Sequence, residues 1–121
     1  GIHSLSHPVG AIYNTHHGLT NAVFMPYVLN KNKSAIEEKI ISLSRYLNLN
    51  QNTFDSFMQW ILELRKNLRI PHTLKELIKE NSRFKEMSVM AFKDPSTSGN
   101  PIKLNQKDFL KLYEDSFDGN L

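Results

Sequence analysis

The fold class follows from residues 34–47, which read Ser-Ala-Ile-Glu-Glu-Lys-Ile-Ile-Ser-Leu-Ser-Arg-Tyr-Leu. Ser34 and Glu37 have the spacing of a capping box, in which a hydroxyl and a carboxylate satisfy free N–H groups of the first helical turn. Apolar side chains then recur every three or four residues, at Ile36, Ile40, Leu43 and Leu47. This period predicts an amphipathic helix that buries one face.

The chain beyond this helix repeats the pattern. Thr53, Ser82 and Asn105 are each predicted to cap a helix. Thr73 and Glu76 form a second capping box, which predicts a short helix. The side chains predicted to point inward from these four helices are Phe54, Phe57, Ile61, Leu64 and Leu68, then Leu74, Leu77 and Ile78, then Phe84, Met87, Met90 and Ala91, and finally Phe109, Leu112, Tyr113 and Phe117. No run of about five residues alternates polar and apolar positions, so a sheet is not expected. The sequence therefore predicts an all-α helical bundle of about six helices.

The composition is that of one globular domain spanning residues 1–121, with 40% apolar and 22% charged residues. No stretch of about 18 consecutive apolar residues is present, so no membrane span is predicted. The chain has no cysteine, which excludes disulfides, thiolate metal sites and cysteine nucleophiles.

Basic residues are only slightly in excess, for a net charge of +3. The densest basic run is Arg65-Lys66-Asn67-Leu68-Arg69, followed by Lys75 and Lys79, and the acidic residues along this stretch are Glu63, Glu76 and Glu80. Proteins that bind nucleic acid usually concentrate positive charge on one face. The run is therefore interpreted as a solvated helix face, and no nucleic-acid partner is predicted.

In the first segment, residues 2–13, the amphipathic pattern is present from the first residues, and no capping residue precedes it. Helices usually start with such a residue, so the chain is predicted to be a fragment cut inside a helix. The segment has neither the basic n-region nor the apolar h-region of a secretory signal, which makes the cytoplasm the expected location.

The first 30 residues hold four of the five histidines. His3 and His7 are four residues apart, so a helix places both imidazoles on one face, with their Cβ atoms about 5–6 Å apart. His17 begins the next segment, and an antiparallel return would bring it to the same face. Three imidazoles can bind Fe²⁺ or Zn²⁺. On spacing alone, two helical histidines that are hydrogen-bonded within a core are the more common explanation, and Ser4 stands where a zincin motif needs glutamate.

The linear context of these histidines adds a resemblance. Residues 3–30 read His-Ser-Leu-Ser-His-Pro-Val-Gly-Ala-Ile-Tyr-Asn-Thr-His-His-Gly-Leu-Thr-Asn-Ala-Val-Phe-Met-Pro-Tyr-Val-Leu-Asn. They closely resemble one stretch of the iron-containing alcohol dehydrogenase family at every fixed position. Residues 70–74, Ile-Pro-His-Thr-Leu, and residues 94–101, Asp-Pro-Ser-Thr-Ser-Gly-Asn-Pro, resemble two later family segments in family order. Ile102 departs from the pattern, since arginine is common there.

The resemblance implies a helical C-terminal domain of the dehydroquinate synthase-like kind, which follows an α/β nucleotide-binding domain that this chain lacks. It implies that His3 and His17 are two of four metal ligands; the other two, an Asp and a His, come from an earlier helix outside this chain. His7 matches the histidine beside the metal and the nicotinamide, which gives it a catalytic and cofactor-contacting role. His16 stands where proline is common and is taken as incidental.

The predicted function is therefore that of the C-terminal, metal-binding part of an NAD(P)-dependent, iron-containing alcohol dehydrogenase. The full enzyme would interconvert small alcohols with aldehydes or ketones, using Fe²⁺ or Zn²⁺, and the fragment alone is expected to be inactive. Two alternatives stay open: a stand-alone helical interaction module, and part of a zinc-dependent polyol dehydrogenase relative. A homo-oligomer is also predicted, in which a second copy covers Ile2, Leu5 and Val9.

Overall fold

The computed structural model describes residues 1–121 and contains six α-helices and no strand. The helices are α1 Ile2–Tyr13, α2 His17–Lys31, α3 Lys33–Tyr46, α4 Phe54–Asn67, α5 Phe84–Lys93 and α6 Gln106–Asp118. Two 3₁₀ turns, Leu74–Glu76 and Pro95–Gly99, lie before and after α5. The predicted all-α fold is confirmed. None of these helices is long and apolar enough to cross a membrane.

Two of the predicted helix starts are confirmed by reciprocal hydrogen bonds. At α4 the Ser56 N–H donates to Thr53 Oγ1 at 3.1 Å, and Ser56 Oγ accepts from the Thr53 N–H at 3.3 Å. At α6 Asn105 and Asp108 form the equivalent pair. The same helix ends at Gly119, whose φ of 82° is a backbone conformation that glycine adopts without strain.

Three other predicted starts are wrong in part. The helix assigned to Ser34 begins at Lys33, because α2 and α3 share Asn32 as the end of one helix and the start of the next. Ser82 does not cap α5, which begins at Phe84, because the Ser82 hydroxyl donates to Glu80 instead. The Thr73 capping box does form, but the segment that it opens is a single 3₁₀ turn rather than a helix.

The core consists of two apolar clusters. The larger one lies where α5 packs against α1 and α6, with α2 also against α1, so both ends of the chain contribute to it. The four side chains predicted to point inward from α6 are all buried there. The smaller cluster lies between α3 and α4 and includes Ile40, Phe54, Phe57, Met58 and Ile61. The site described below lies on the helices of the larger cluster.

The predicted apolar stripe of α4 is wrong over its last turn. Leu64 is 39% exposed and Leu68 is 62% exposed, whereas Arg65 is only 5% exposed. The Arg65 guanidinium reaches inward and donates from Nη2 to the carbonyl oxygens of Val23 and Pro71, at 3.3 and 3.0 Å. The basic run is therefore not a fully solvated face. Arg65 is buried at the end of α4 because its side chain bonds to α2 and to the segment that follows α4.

The apolar stripes of α3 and α5 are also incomplete. Leu43 and Leu47 are exposed at the end of α3, where no later element covers them. Met90 was predicted to point inward from α5, and it is exposed as well. Phe84, Met87 and Ala91 of the same helix are buried as predicted.

The residues predicted to be covered by a second copy are in fact covered by the chain itself. Leu5 and Val9 have no exposed surface, since they lie in the larger core cluster, and Ile2 packs against the same cluster. The prediction that these side chains form a dimer contact is therefore wrong for Leu5 and Val9. The reason is that α2 and α5 flank α1 and cover its apolar face.

Candidate metal centre

Three histidine side chains meet on one exposed face of the protein. The ring centroids of His3 and His17 are 5.0 Å apart, and His7 lies 5.7 Å from His3 and 5.4 Å from His17. One nitrogen of each ring lies within 4.8 Å of the corresponding nitrogens of the other two, and all three residues are exposed. The predicted convergence of the three imidazoles is confirmed as geometry.

The antiparallel packing of α1 and α2 produces this convergence. Ser6 lies opposite Asn21, and Gly1 lies beside Val28, so the two helices run in opposite directions. The short connection between them is possible because Asn14 takes a left-handed conformation, with φ 53°, and its N–H bonds back to Gly10. Asn is one of the few residues other than glycine that adopts this conformation readily.

His17 is held by a neighbour that the sequence analysis quoted without assigning a role. The side-chain amide nitrogen of Asn21 lies 3.0 Å from His17 Nε2, one helical turn away along α2. The amide oxygen of Asn21 in turn contacts the hydroxyl of Ser6, which is almost fully buried in α1. The orientation of His17 is therefore fixed to both helices, and the motif spacing was the only available signal for Asn21.

His7 is held by a residue from the far end of the chain. Its Nδ1 atom lies 2.7 Å from Asp94 Oδ2, and the Asp94 side chain is only 12% exposed. Burial raises the pKa of the Asp94 carboxyl, but hydrogen bonds from His7 and Ser96 outweigh it and hold this pKa below its usual value. Asp94 lies 87 residues from His7 along the chain, so no local sequence pattern links the two side chains.

The other two histidines lie outside this cluster. His16 precedes α2, and its Nδ1 accepts the Leu19 N–H at 3.3 Å, so it caps the helix that positions His17. His72 is exposed in the turn before Leu74. Tyr13 lies against the core and donates a hydrogen bond to Glu80.

The donor set of the cluster fits a divalent metal ion. Imidazole nitrogens bind Zn²⁺ and Fe²⁺, and two ligands of a tetrahedral zinc lie roughly 3.3 Å apart when each bond is about 2.05 Å. The nitrogens of the cluster lie within 4.8 Å of one another, and the exposed side chains can rotate to shorten that separation. The chemistry of the cluster and the spacing of its nitrogens therefore fit a divalent metal ion.

Comparison with known proteins places the chain in a family. The family model described as Fe-containing alcohol dehydrogenase family, C-terminal, matches residues 1–117. The chain belongs to the iron-containing alcohol dehydrogenase family, and it corresponds to the C-terminal part of its members. The family resemblance seen in the sequence is confirmed.

Relatives and solved structures agree with this assignment. An NADPH-dependent butanol dehydrogenase of Clostridium saccharobutylicum is 33% identical over 120 residues, which cover 93% of this chain and 31% of that protein. A 1,3-propanediol dehydrogenase of Citrobacter freundii is 30% identical, over 96% of this chain and 32% of that protein. A solved 1,3-propanediol oxidoreductase superposes with a TM-score of 0.88 at 27% identity, covering 96% of this chain and 32% of that one. The iron-containing alcohol dehydrogenase of Thermococcus thioreducens gives a TM-score of 0.85 at 28% identity, over 98% and 32% of the two chains.

The matches cover very different shares of this chain and of its relatives. The chain spans about a third of the length of the relatives that it matches, while almost all of the chain itself is aligned. Residues 1–121 therefore correspond to one part of a longer family member.

Proposed function

We propose that residues 1–121 are the helical C-terminal domain of an NAD(P)-dependent, iron-containing alcohol dehydrogenase. An α/β nucleotide-binding domain would precede it in the complete enzyme, which would interconvert small alcohols with aldehydes or ketones. The observation that carries this proposal is the cluster of His3, His7 and His17 within a domain of that family. A cytoplasmic location and a homo-oligomer are part of the proposal, and subcellular fractionation and light scattering would test them.

The three histidines would have different roles. His3 and His17 would bind the metal, because neutral imidazole nitrogens are suitable ligands for Fe²⁺ and Zn²⁺. When bound, such an ion would supply a Lewis acid for an alcohol hydroxyl, and a nicotinamide would supply the hydride acceptor. His7 would accept and return the hydroxyl proton, because an imidazole nitrogen can accept or donate a proton and the His7 ring lies within 6 Å of both other rings.

The chain on its own should bind a metal weakly and should not turn over substrate. His3 and His17 are two of the four expected ligands, and water competes well for a site with so few protein donors. The nicotinamide would also need the phosphate-binding loop of the missing domain. We therefore expect no oxidation of NADH or NADPH by the isolated chain with an aldehyde.

Two other interpretations predict different features of the sequence. A stand-alone interaction module requires that no enzyme domain precede residue 1 in the coding sequence. A zinc-dependent polyol dehydrogenase relative usually has a histidine spacing different from the 14 residues between His3 and His17. A coding sequence upstream of Gly1 that contains Gly-Gly-Gly-Ser and Asp-x-x-x-His would support the dehydrogenase, and a complete gene that lacks both would exclude it.

A titration with ZnSO₄ tests the metal site in the chain itself. We expect Zn²⁺ to shift the imidazole NMR signals of His3 and His17 at millimolar or lower concentration. H3A and H17A should each weaken this binding at least about tenfold, since each removes one of few ligands. H72A is the matched control, because His72 is exposed and lies outside the cluster. Equal binding by H3A, H17A and H72A would disprove the assignment of the ligands.

A further inference from the structure

The carboxylate of Asp94 is fixed on two sides. Its Oδ1 accepts the Ser96 N–H at 2.8 Å and so caps the 3₁₀ turn Pro95–Gly99. Its Oδ2 lies 2.7 Å from His7 Nδ1. The Asp94 side chain is mostly covered, whereas the His7 side chain is 45% exposed, so the pair consists of a held carboxylate and a ring that projects toward solvent.

The position of Asp94 does not depend on His7. The turn that Asp94 caps packs against both α1 and α5. Within that turn, Thr97 Oγ1 lies 2.7 Å from the carbonyl oxygen of Ala91 in α5 and 2.8 Å from Ser4 Oγ in α1. The carboxylate is therefore set in place by backbone and hydroxyl contacts, and the imidazole of His7 meets an acceptor whose position is already determined.

An ionised carboxylate can only accept hydrogen bonds, so the nitrogen facing it must carry the proton. His7 Nδ1 is thus the donor, and in a neutral imidazole the other nitrogen, Nε2, keeps its lone pair. His7 makes no other side-chain hydrogen bond in the protein, so Nε2 has no competing partner. The contact is charge-assisted and has the short distance typical of that class.

We propose that Asp94 is a positioning residue for His7, holding the proton on Nδ1 so that the Nε2 lone pair is free to accept a proton. Free histidine favours the opposite tautomer, with the proton on Nε2, so Asp94 reverses the intrinsic preference of the ring. The assignment of the tautomer stands on the geometry alone. What Nε2 then does for a substrate rests on the proposed function.

The tautomer can be read directly from the imidazole ¹⁵N signals of the 121-residue chain. The measurement is made at about pH 8.5, where an ordinary histidine is neutral. In the wild-type chain we expect the ratio of the Nδ1-protonated to the Nε2-protonated tautomer of His7 to be about ten or more, as a charge-assisted bond implies. In D94N this ratio should fall to about one or invert, since a neutral amide has lost the charge that holds the proton.

The variants are matched so that an effect on folding can be distinguished from an effect on the His7 tautomer. Asn can still accept the Ser96 N–H, so D94N keeps the cap of the turn. D108N is the control, because Asp108 is another capping carboxylate, and its partners are Lys31 and Asn105 rather than a histidine. D108N should lower stability without changing the His7 tautomer. If D94N does not fold, D94S provides the same comparison, because serine also caps while lacking the carboxylate.

Two results would overturn the proposal. One is a wild-type His7 with its proton mainly on Nε2, which is decided without any variant. The other is a folded D94N or D94S chain whose His7 keeps the wild-type tautomer. The ZnSO₄ titration is independent of both, because it reports on His3 and His17. A failed metal site with a confirmed tautomer, or the reverse, would therefore show which of the two proposals is wrong.

Discussion

Arg69 is the one residue other than glycine and asparagine whose backbone has a positive φ. Its φ is 55°, and it directly follows the last turn of α4, where its N–H donates to the Lys66 carbonyl. A left-handed conformation costs a residue with a side chain roughly 1–2 kcal/mol, and glycine avoids this cost. We expect R69G to raise the free energy of unfolding by roughly 0.5–1 kcal/mol, as measured by urea denaturation.

The matched control for R69G is Q59G, at an exposed position in the middle of α4. There glycine only increases the conformational freedom of the unfolded chain, so we expect Q59G to lower the free energy of unfolding by roughly 0.5–1 kcal/mol. If both variants lose stability equally, the Arg69 side chain makes a stabilising contact that outweighs the strain of its backbone.

At the residue scale the sequence predicted that the three histidines lie on one face, but it did not predict the residues that hydrogen-bond to them. His3, His7 and His17 could be placed on one face because helical spacing and a short return between two segments determine it. Asn21 and Asp94 could not be assigned, because their roles depend on which helices pack together. Asp94 in particular lies next to His7 only after the turn before α6 has docked on α1.

At the element scale the long predicted helices are present, the short one predicted after Thr73 is a 3₁₀ turn, and other errors lie at helix ends. Ser34 and Glu37 have ideal capping spacing, yet α3 begins earlier, at Lys33, directly after Asn32. The Asn32 side chain is buried and forms two hydrogen bonds with the Asn100 amide, at 2.9 and 2.8 Å. A contact across 68 residues thus determines where the helix begins, and no local pattern in the sequence could reveal it.

A single buried hydroxyl joins the last helix to the first. Tyr113 in α6 has no exposed surface, and its hydroxyl donates to the Leu5 carbonyl oxygen of α1 at 2.8 Å. Burial raises the pKa of this phenol far above its ordinary range, so it stays protonated and continues to donate. We expect Y113F to lower the free energy of unfolding by about 1 kcal/mol, the usual net value of such a bond. Thermal unfolding followed by circular dichroism measures it.

Y46F is the control for Y113F, because Tyr46 is 84% exposed at the end of α3 and should change stability by less than about 0.5 kcal/mol. Indistinguishable stabilities for Y113F and Y46F would mean that the Leu5 carbonyl is satisfied equally well without the Tyr113 hydroxyl. The link between α6 and α1 would then consist of apolar packing alone.

At the scale of the whole molecule, the candidate site depends on the closure of the chain. The larger core cluster combines α1 and α2 with α5 and α6, and the face that carries the histidines lies on the first two of these helices. Local periodicity predicted which faces are apolar. It did not predict that Arg65 is buried, because its carbonyl partners belong to α2 and to the segment after α4.

The pH dependence of stability also follows from contacts spread over the molecule. Hydrogen bonds from the Thr73 backbone, with others from His72, hold the pKa of Glu76 below its usual value. At Asp108 burial raises the pKa, but the contacts with Lys31 and Asn105 outweigh it, so this pKa is lowered as well. In each case the unfolded chain takes up a proton at a higher pH than the folded chain does. The stabilisation is therefore complete above the pKa values that these carboxyls have in the unfolded chain, and it is lost as the pH falls through their lowered folded-state pKa values.

Urea denaturation at about pH 7, 5, 4 and 3 tests this in the wild type, E76Q, D108N and E38Q. E76Q and D108N should be less stable than the wild type at neutral pH, because each loses a charged acceptor that bonds backbone N–H groups. Their deficit should shrink as the pH falls, because protonation of the wild-type carboxyls removes the same advantage. E38Q is the control, since Glu38 is exposed on α3, and its curve should run parallel to that of the wild type. A deficit of E76Q and D108N that is the same at pH 3 as at pH 7 would show that these carboxylates stabilise the fold through their shape and not through their charge.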